Sequence, residues 1–172
     1  QEAAADWTYP NLPAGYQLYP GGPVYAIPRL PDQLASTARE ADPLTNPLGV
    51  FYCDGSVELR SGVTIRGCLM SRNDINITGT NVRLQPVELP PLAGQTSPAR
   101  LPGASCKNFV VRAAGGGQVT GLLAVFDRFQ IDKGPETVQF AVTGRLIARK
   151  VFIKERQPWD ELDWKVLYNQ YM

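Results

Sequence analysis

The sequence predicts an all-β fold, a solenoid of about five to six short coils wound from one chain. Three observations carry that expectation. Residues 49–65, 67–84, 121–140 and 144–158 each open with glycine and then repeat one apolar pattern. Within each stretch, Val, Ile, Leu and Phe alternate with polar residues over short runs, the signature of strands with one buried face. The glycines stand 18 residues apart at 49 and 67 and 23 apart at 121 and 144, close to one coil of a β-helix and too short for a propeller blade.

Taken in order, residues 1–48 differ from the repeats. They hold eight prolines and five aromatic residues, Trp7, Tyr9, Tyr16, Tyr19 and Tyr25, a composition suited to an extended chain pinned by its rings to a surface. This segment is expected to run along the solenoid or over its first coil, with Val24–Ile27 as an extra strand, because end coils need cover. The same composition also suits an arm that binds a partner. Residues 49–153 carry the coils. Counting from each glycine, offsets +8 and +10 hold Val57 and Leu59, Ile75 and Ile77, Phe129 and Ile131, with Val151 and Ile153 one place early. Val63 with Ile65, Val82 with Leu84 and Val138 with Phe140 give a second alternating pair. Offsets +2 and +4 give a third: Phe51 and Cys53, Leu69 and Ser71, Leu123 and Val125, Leu146 and Ala148. All of these should face one core, since strand side chains alternate with a period of two.

A degenerate coil starts near Leu101 and adds Phe109, Val111 and Val119. Before it, residues 86–102 contain five of the fifteen prolines. Proline cannot donate to a sheet ladder, so this run is expected to be a loop insertion leaving the solenoid. In residues 154–172, Pro158 followed by Trp159, Asp160, Glu161, Leu162, Asp163 and Val166 predicts a short C-terminal capping helix, with proline in the first turn and acids at the positive end of the dipole. Trp159, Leu162 and Val166 would share the face that lids the last coil, where bare strand edges otherwise invite aggregation.

At 172 residues the chain is one domain with room for a real core, and its formal net charge of +1 gives no long-range field. Lys and Arg alternate with Asp and Glu along outward positions, which is the pattern of a solvated sheet surface and not the basic stripe of a nucleic-acid binder. No nucleic-acid partner is expected. No run reaches the ~18 apolar residues of a membrane span. The opening Gln1–Asp6 holds neither an initiator Met nor a signal-type apolar stretch, and so the chain is expected to be a processed fragment.

Residues that carry chemistry are few. Cys53, Cys68 and Cys106 cannot all pair with one another, their spacing is not that of a zinc site, and there is no histidine. Cys53 at +4 and Cys68 at +1 are out of phase, so their thiols should face opposite sides of the sheet. Cys53 suits a small buried hydrophobe, while Cys106, near a turn and beside Lys107, is the candidate reactive thiol. Without histidine the usual Ser-His-Asp and Cys-His constellations are excluded, and proton transfer would fall to carboxylates, Lys, Tyr or Cys. Asp54, Asp74, Asp127 and Asp132 stand at +5, +7, +6 and +11, turn positions that do not stack into an acidic column. Nor do they show the D-x-D spacing of a calcium loop. Asn76-Ile77-Thr78 fits the glycosylation sequon, with Asn76 pointing outward. Gly115-Gly116-Gly117 lacks the lysine and the following helix of a phosphate cradle and suits a turn between coils. The sequence therefore names no catalytic, cofactor-binding or metal-binding residue.

Residues 63–84 and 119–153, with valine-x-isoleucine-x-glycine at Val63 to Gly67 and aspartate-isoleucine-x-isoleucine at Asp74 to Ile77, resemble the β-helical extracytoplasmic domains of bacterial pilus-assembly and pseudopilin-type envelope proteins. The resemblance spans residues 49–153. It implies a single-stranded right-handed β-helix outside the membrane, with protein partners in the cell envelope. It also implies an anchor encoded before Gln1, a single apolar helix of about 20 residues with basic residues on its cytoplasmic side. The expected function is a non-catalytic structural or interaction domain, monomeric, pilus- or secretion-associated. Two alternatives stand beside it. One is a carbohydrate-active β-helix enzyme or carbohydrate-binding module. The other is a bactofilin-like polymer-forming scaffold, against which the proline-rich insertion and the capped ends count.

Overall fold

The computed structural model describes residues 28–153, except 43–44, 47, 90–95, 97 and 133–138. The described residues form an all-β structure without helices, in which eleven strands make one parallel sheet curled into a half-barrel. Val24–Ile27 and the capping helix expected around Pro158–Val166 lie outside the described residues.

The strands stack in three columns. The first begins with β3 (Val50–Cys53) and β6 (Cys68–Ser71) and continues through parts of β11 (Ala104–Val111), β12 (Gly117–Ile131) and β13 (Phe140–Ile153). The second runs β1 (Gln33–Leu34), β4 (Val57–Leu59), β7 (Asp74–Ile77) and then the later halves of β11, β12 and β13. The third runs β2 (Ala38–Glu40), β5 (Thr64–Arg66), β8 (Val82–Gln85) and then the starts of β12 and β13. The chain visits the columns in the same order each time, so that every strand pairs with its counterpart one repeat away. Residues 28–42 belong to this sheet as well, through β1, β2 and a parallel bridge from Arg29 to Tyr52.

The apolar alternation sets what lies inside. Phe51, Leu69, Ala104 and Leu123 are register partners in the first column, Val57, Ile75, Phe109 and Phe129 in the second, and Ile65, Leu84 and Val119 in the third. All are buried and join one core cluster. Phe109 stacks on Phe129 with centroids 5.9 Å apart, and Phe140 from the third column closes on Phe109 at 5.6 Å, an arrangement that ties two columns across the core.

The repeat glycines have a steric cause. A Cβ on Gly67 would meet the Gly49 carbonyl oxygen at 2.1 Å, and one on Gly144 would meet that of Gly121 at 2.2 Å. Successive repeats approach so closely at this corner that no side chain fits. Gly115 and Gly117 stand in the same relation to the carbonyls of Ile77 and Val82, at 2.2 and 2.1 Å, so the glycine triplet is a tight turn packed on the preceding repeat.

Two irregularities have local reasons. Cys53 to Val57, Ser71 to Ile75 and Val125 to Phe129 each take four steps between inward positions, whereas Cys106 to Phe109 and Ala148 to Val151 take three. β12 therefore bulges at Phe126 and Asp127 against both neighbours, which is why Val151 and Ile153 come one place early. The insertion after β8 leaves the sheet as an antiparallel pair, β9 (Glu88–Leu89) with β10 (Ala99–Arg100), fastened by the Arg100 guanidinium on the Glu88 carboxylate.

Candidate functional site

The second column carries a ladder of polar side chains on its outer face. Because inward residues alternate with outward ones, Gln33, Glu58, Asn76, Val110, Gln130 and Phe152 fall in one outward row. Asp74 and Asn108 flank it on one side, and Thr78, Arg112 and Asp132 on the other.

These side chains are joined from strand to strand. Glu58 accepts from Gln33 Nε2 at 3.3 Å, from Arg60 Nε at 3.0 Å and from the Thr78 hydroxyl at 2.9 Å. The Arg60 and Thr78 hydrogen bonds hold the Glu58 carboxyl below its ordinary value. The Arg112 guanidinium donates to Asn76 Oδ1 at 3.0 Å and to Asp132 Oδ2 at 3.1 Å, spanning three coils, and Gln130 Nε2 also donates to Asp132. Asn108 Nδ2 donates to Asp74 Oδ1 at 2.7 Å, while its own Oδ1, buried, meets no donor among the described residues. Asn76 of the sequon does point outward, half-buried, with its amide oxygen engaged by Arg112.

Asp54 and Asp127 lie apart from this row, at the corner between the first two columns. Asp54 accepts from the Tyr52 hydroxyl at 3.0 Å and from Arg72 at 3.4 Å, with Arg29 at 3.9 Å. The Tyr52 hydrogen bond, followed by Arg72, depresses its pKa. Asp127, on the β12 bulge, faces Lys150 at 4.0 Å. The structure thus keeps Asp54, Asp74, Asp127 and Asp132 on separate partners. A lowered pKa suits an acceptor and opposes a general-acid role for Asp54 or Glu58, which needs a carboxyl raised toward neutrality.

The thiols are enclosed. Cys53 faces inward as expected, and Cys106 also sits in the core, partnered in register with Val125. Its burial counts against the candidacy that its place near a turn gave Cys106. Burial pushes the Cys106 thiol up to about 12, the same cause raises Cys68 to about 12, and burial likewise raises Cys53. Nucleophilic thiolates need the opposite environment. Cys68, outside the core cluster but still buried, faces away from Cys53, and all three cysteines are free. Among the described residues no cluster of His, Cys, Asp or Glu converges as a metal site, and no helix is long and apolar enough to cross a membrane.

Sequence reasoning missed Arg112 and Asn108, whose importance lies in partners 36 and 34 residues away. Their only sequence signal is that each falls beside Asp74-to-Thr78 when the coils are stacked.

Comparison of the chain with protein-family models, with curated proteins and with solved structures finds no match.

Proposed function

We propose that the chain is a non-catalytic structural or interaction domain whose curled parallel sheet is a single-stranded right-handed β-helix of about five to six coils. One observation carries this reading. Glu58, Asp54, Asp74, Asp127 and Asp132 each bond a side chain on a neighbouring coil, namely Thr78, Arg72, Asn108, Lys150 and Arg112. Carboxylates used in this way fasten coil to coil and hold Gln33, Glu58, Asn76 and Arg112 as the polar part of the second column's outer face, open to a protein partner. The sequence resemblance to pilus-assembly and pseudopilin-type proteins supports a place outside the bacterial membrane, with an anchor preceding the domain and partners in the cell envelope.

The purified protein, incubated with neutral and acidic polysaccharides with and without calcium, is expected to release no sugar product. A calcium-dependent rise in unsaturated sugars, lost in Asp54→Asn or Asp74→Asn, would overturn the reading in favour of a carbohydrate-active enzyme. A polymer-forming scaffold is the second reading, favoured by β13, which among the described residues pairs with β12 alone.

A further inference from the structure

The two ends of the sheet differ. At its beginning, among the described residues, β1 and β2 are two and three residues long, and Leu30 and Leu34 are buried. At its end β13 runs for 14 residues and, among the described residues, pairs with β12 alone. Its core rows stop uncovered. Leu146 and Val151 stand in register with the buried Leu123 and Phe129, yet are themselves 36 % and 55 % exposed. Ile147 and Phe152, which point to the other face, are 61 % and 48 % exposed. Along such an edge every second residue also directs its N–H and C=O away from the sheet.

The strand β13 is its own complement. It follows the third column at its start, the first in its middle and the second at its end. Turned about a two-fold axis through Leu146, a second β13 runs antiparallel to the first, and the third column of one copy meets the second column of the other. Val142 then opposes Val151, Phe140 opposes Ile153 and Ala141 opposes Phe152, inward against inward and outward against outward as antiparallel pairing requires. Arg145 falls opposite Ile147. The corner residues Arg149 and Lys150 fall together opposite Thr143, a bulge of the kind β12 makes at Phe126 and Asp127. No cation opposes a cation, and Lys150 already faces Asp127 at 4.0 Å. We propose that two copies of the chain join through this edge, β13 on β13, into a closed two-fold dimer, in place of the monomer expected from the sequence. A strand of 14 residues at ~3.3 Å each, over the ~10 Å spacing of stacked sheets, offers about 500 Å² per copy, and roughly 1,000 Å² in total is where specific interfaces begin. A two-fold contact closes on itself, whereas a head-to-tail polymer would have to seat β13 on the short β1 and β2. The proposal needs only that β13 end the sheet, and stands whatever the polar row of the second column meets.

Analytical sedimentation of the full chain tests this. At concentrations raised to about 1 mM the parent should reach twice the 18.9 kDa of one chain and no more. Ile147→Lys, which sets a lysine opposite Arg145 at an exposed position, should sediment as a monomer with an unchanged circular dichroism spectrum. Cysteine pairing supplies the second readout. With the three buried native cysteines kept, Leu146→Cys should link two chains on mild oxidation, because the residue on the axis meets its own copy. Thr143→Cys, about 20 Å from its copy in this register, should stay unlinked. A parent that remains monomeric would overturn the proposal, since the edge would then be covered from within the chain or left bare. Species larger than a dimer would overturn it in favour of the polymer. A dimer that survives Ile147→Lys, or that links through Thr143→Cys and not through Leu146→Cys, would overturn it by placing the contact elsewhere.

Discussion

Ile77 and Asn76 are adjacent in β7 and should respond to the same substitution in opposite ways. Ile77 is fully buried, with Leu59 and Val111 as its register partners on either side. Asn76 points outward to Arg112. Truncation of a buried isoleucine to alanine costs about 2–5 kcal/mol, which for a domain of this size lowers Tm by roughly 5–15 °C. Ile77→Asp adds an unpaired carboxylate in an apolar core, a further several kcal/mol. The total approaches the ~5–15 kcal/mol that holds a domain folded, so Ile77→Asp should give no cooperative melt at neutral pH. Asn76→Asp keeps an acceptor for Arg112 and adds an opposite charge at an exposed guanidinium, worth about 0–1 kcal/mol. Thermal melts followed by circular dichroism, backed by urea titrations, separate the cases. Equal losses for Ile77→Asp and Asn76→Asp would refute the assignment of inner and outer faces.

Four further outcomes follow from named contacts. Gly67→Ala, whose Cβ would sit 2.1 Å from the Gly49 oxygen, should lower the midpoint of urea unfolding far more than Gly55→Ala, which meets nothing within 4 Å; similar midpoints would contradict the close approach of the coils. All three cysteines should resist Ellman's reagent at pH 8 until urea unfolds the chain, and a Cys106 as fast as in the unfolded state would contradict its burial. Cys68 and Cys106, raised from 9.0 to about 12, keep protons that the unfolded chain releases, so stability should be intact below pH 9 and fall as pH rises toward 12. Asp54 and Glu58, both lowered, act in the opposite sense: their contribution is present above the ordinary carboxylate range and lost as pH falls through it. Glu58→Gln should flatten that acid limb in urea titrations repeated across pH.

Much of the core was legible because strand geometry leaves so little freedom. With a period of two, the alternation from Phe51 to Phe129 fixes which side chains turn inward, and the structure buries them. Glycine spacing was legible for a similar reason, since only glycine survives where one coil's backbone touches the next. What failed was the length of one corner. Counting back from Phe109 by the usual offset starts that coil at Leu101 and turns Cys106 outward, but its corner is one residue short, with Lys107 alone between Cys106 and Asn108. β1 and β2, at two and three residues, are too short to show alternation, and they form because β4 and β5 already offer edges to pair with. The polar ladder was illegible for a different reason. Arg112 matters through Asn76 and Asp132, and no local pattern marks residues whose partners lie one coil away.

The central claim is that each strand stacks in register on its counterpart one coil earlier, and cysteine pairing on the outer row tests it most directly. In a chain whose three native cysteines are replaced, Glu58→Cys/Asn76→Cys places the pair on register partners, about 4.8 Å apart and within the ~4.4–6.8 Å that a disulfide spans. Gln33→Cys/Asn76→Cys places them two strands apart, at about 10 Å. Mild oxidation should close an intramolecular disulfide in the first variant and leave the second open; closure of the second with the first left open would contradict the stacked coils.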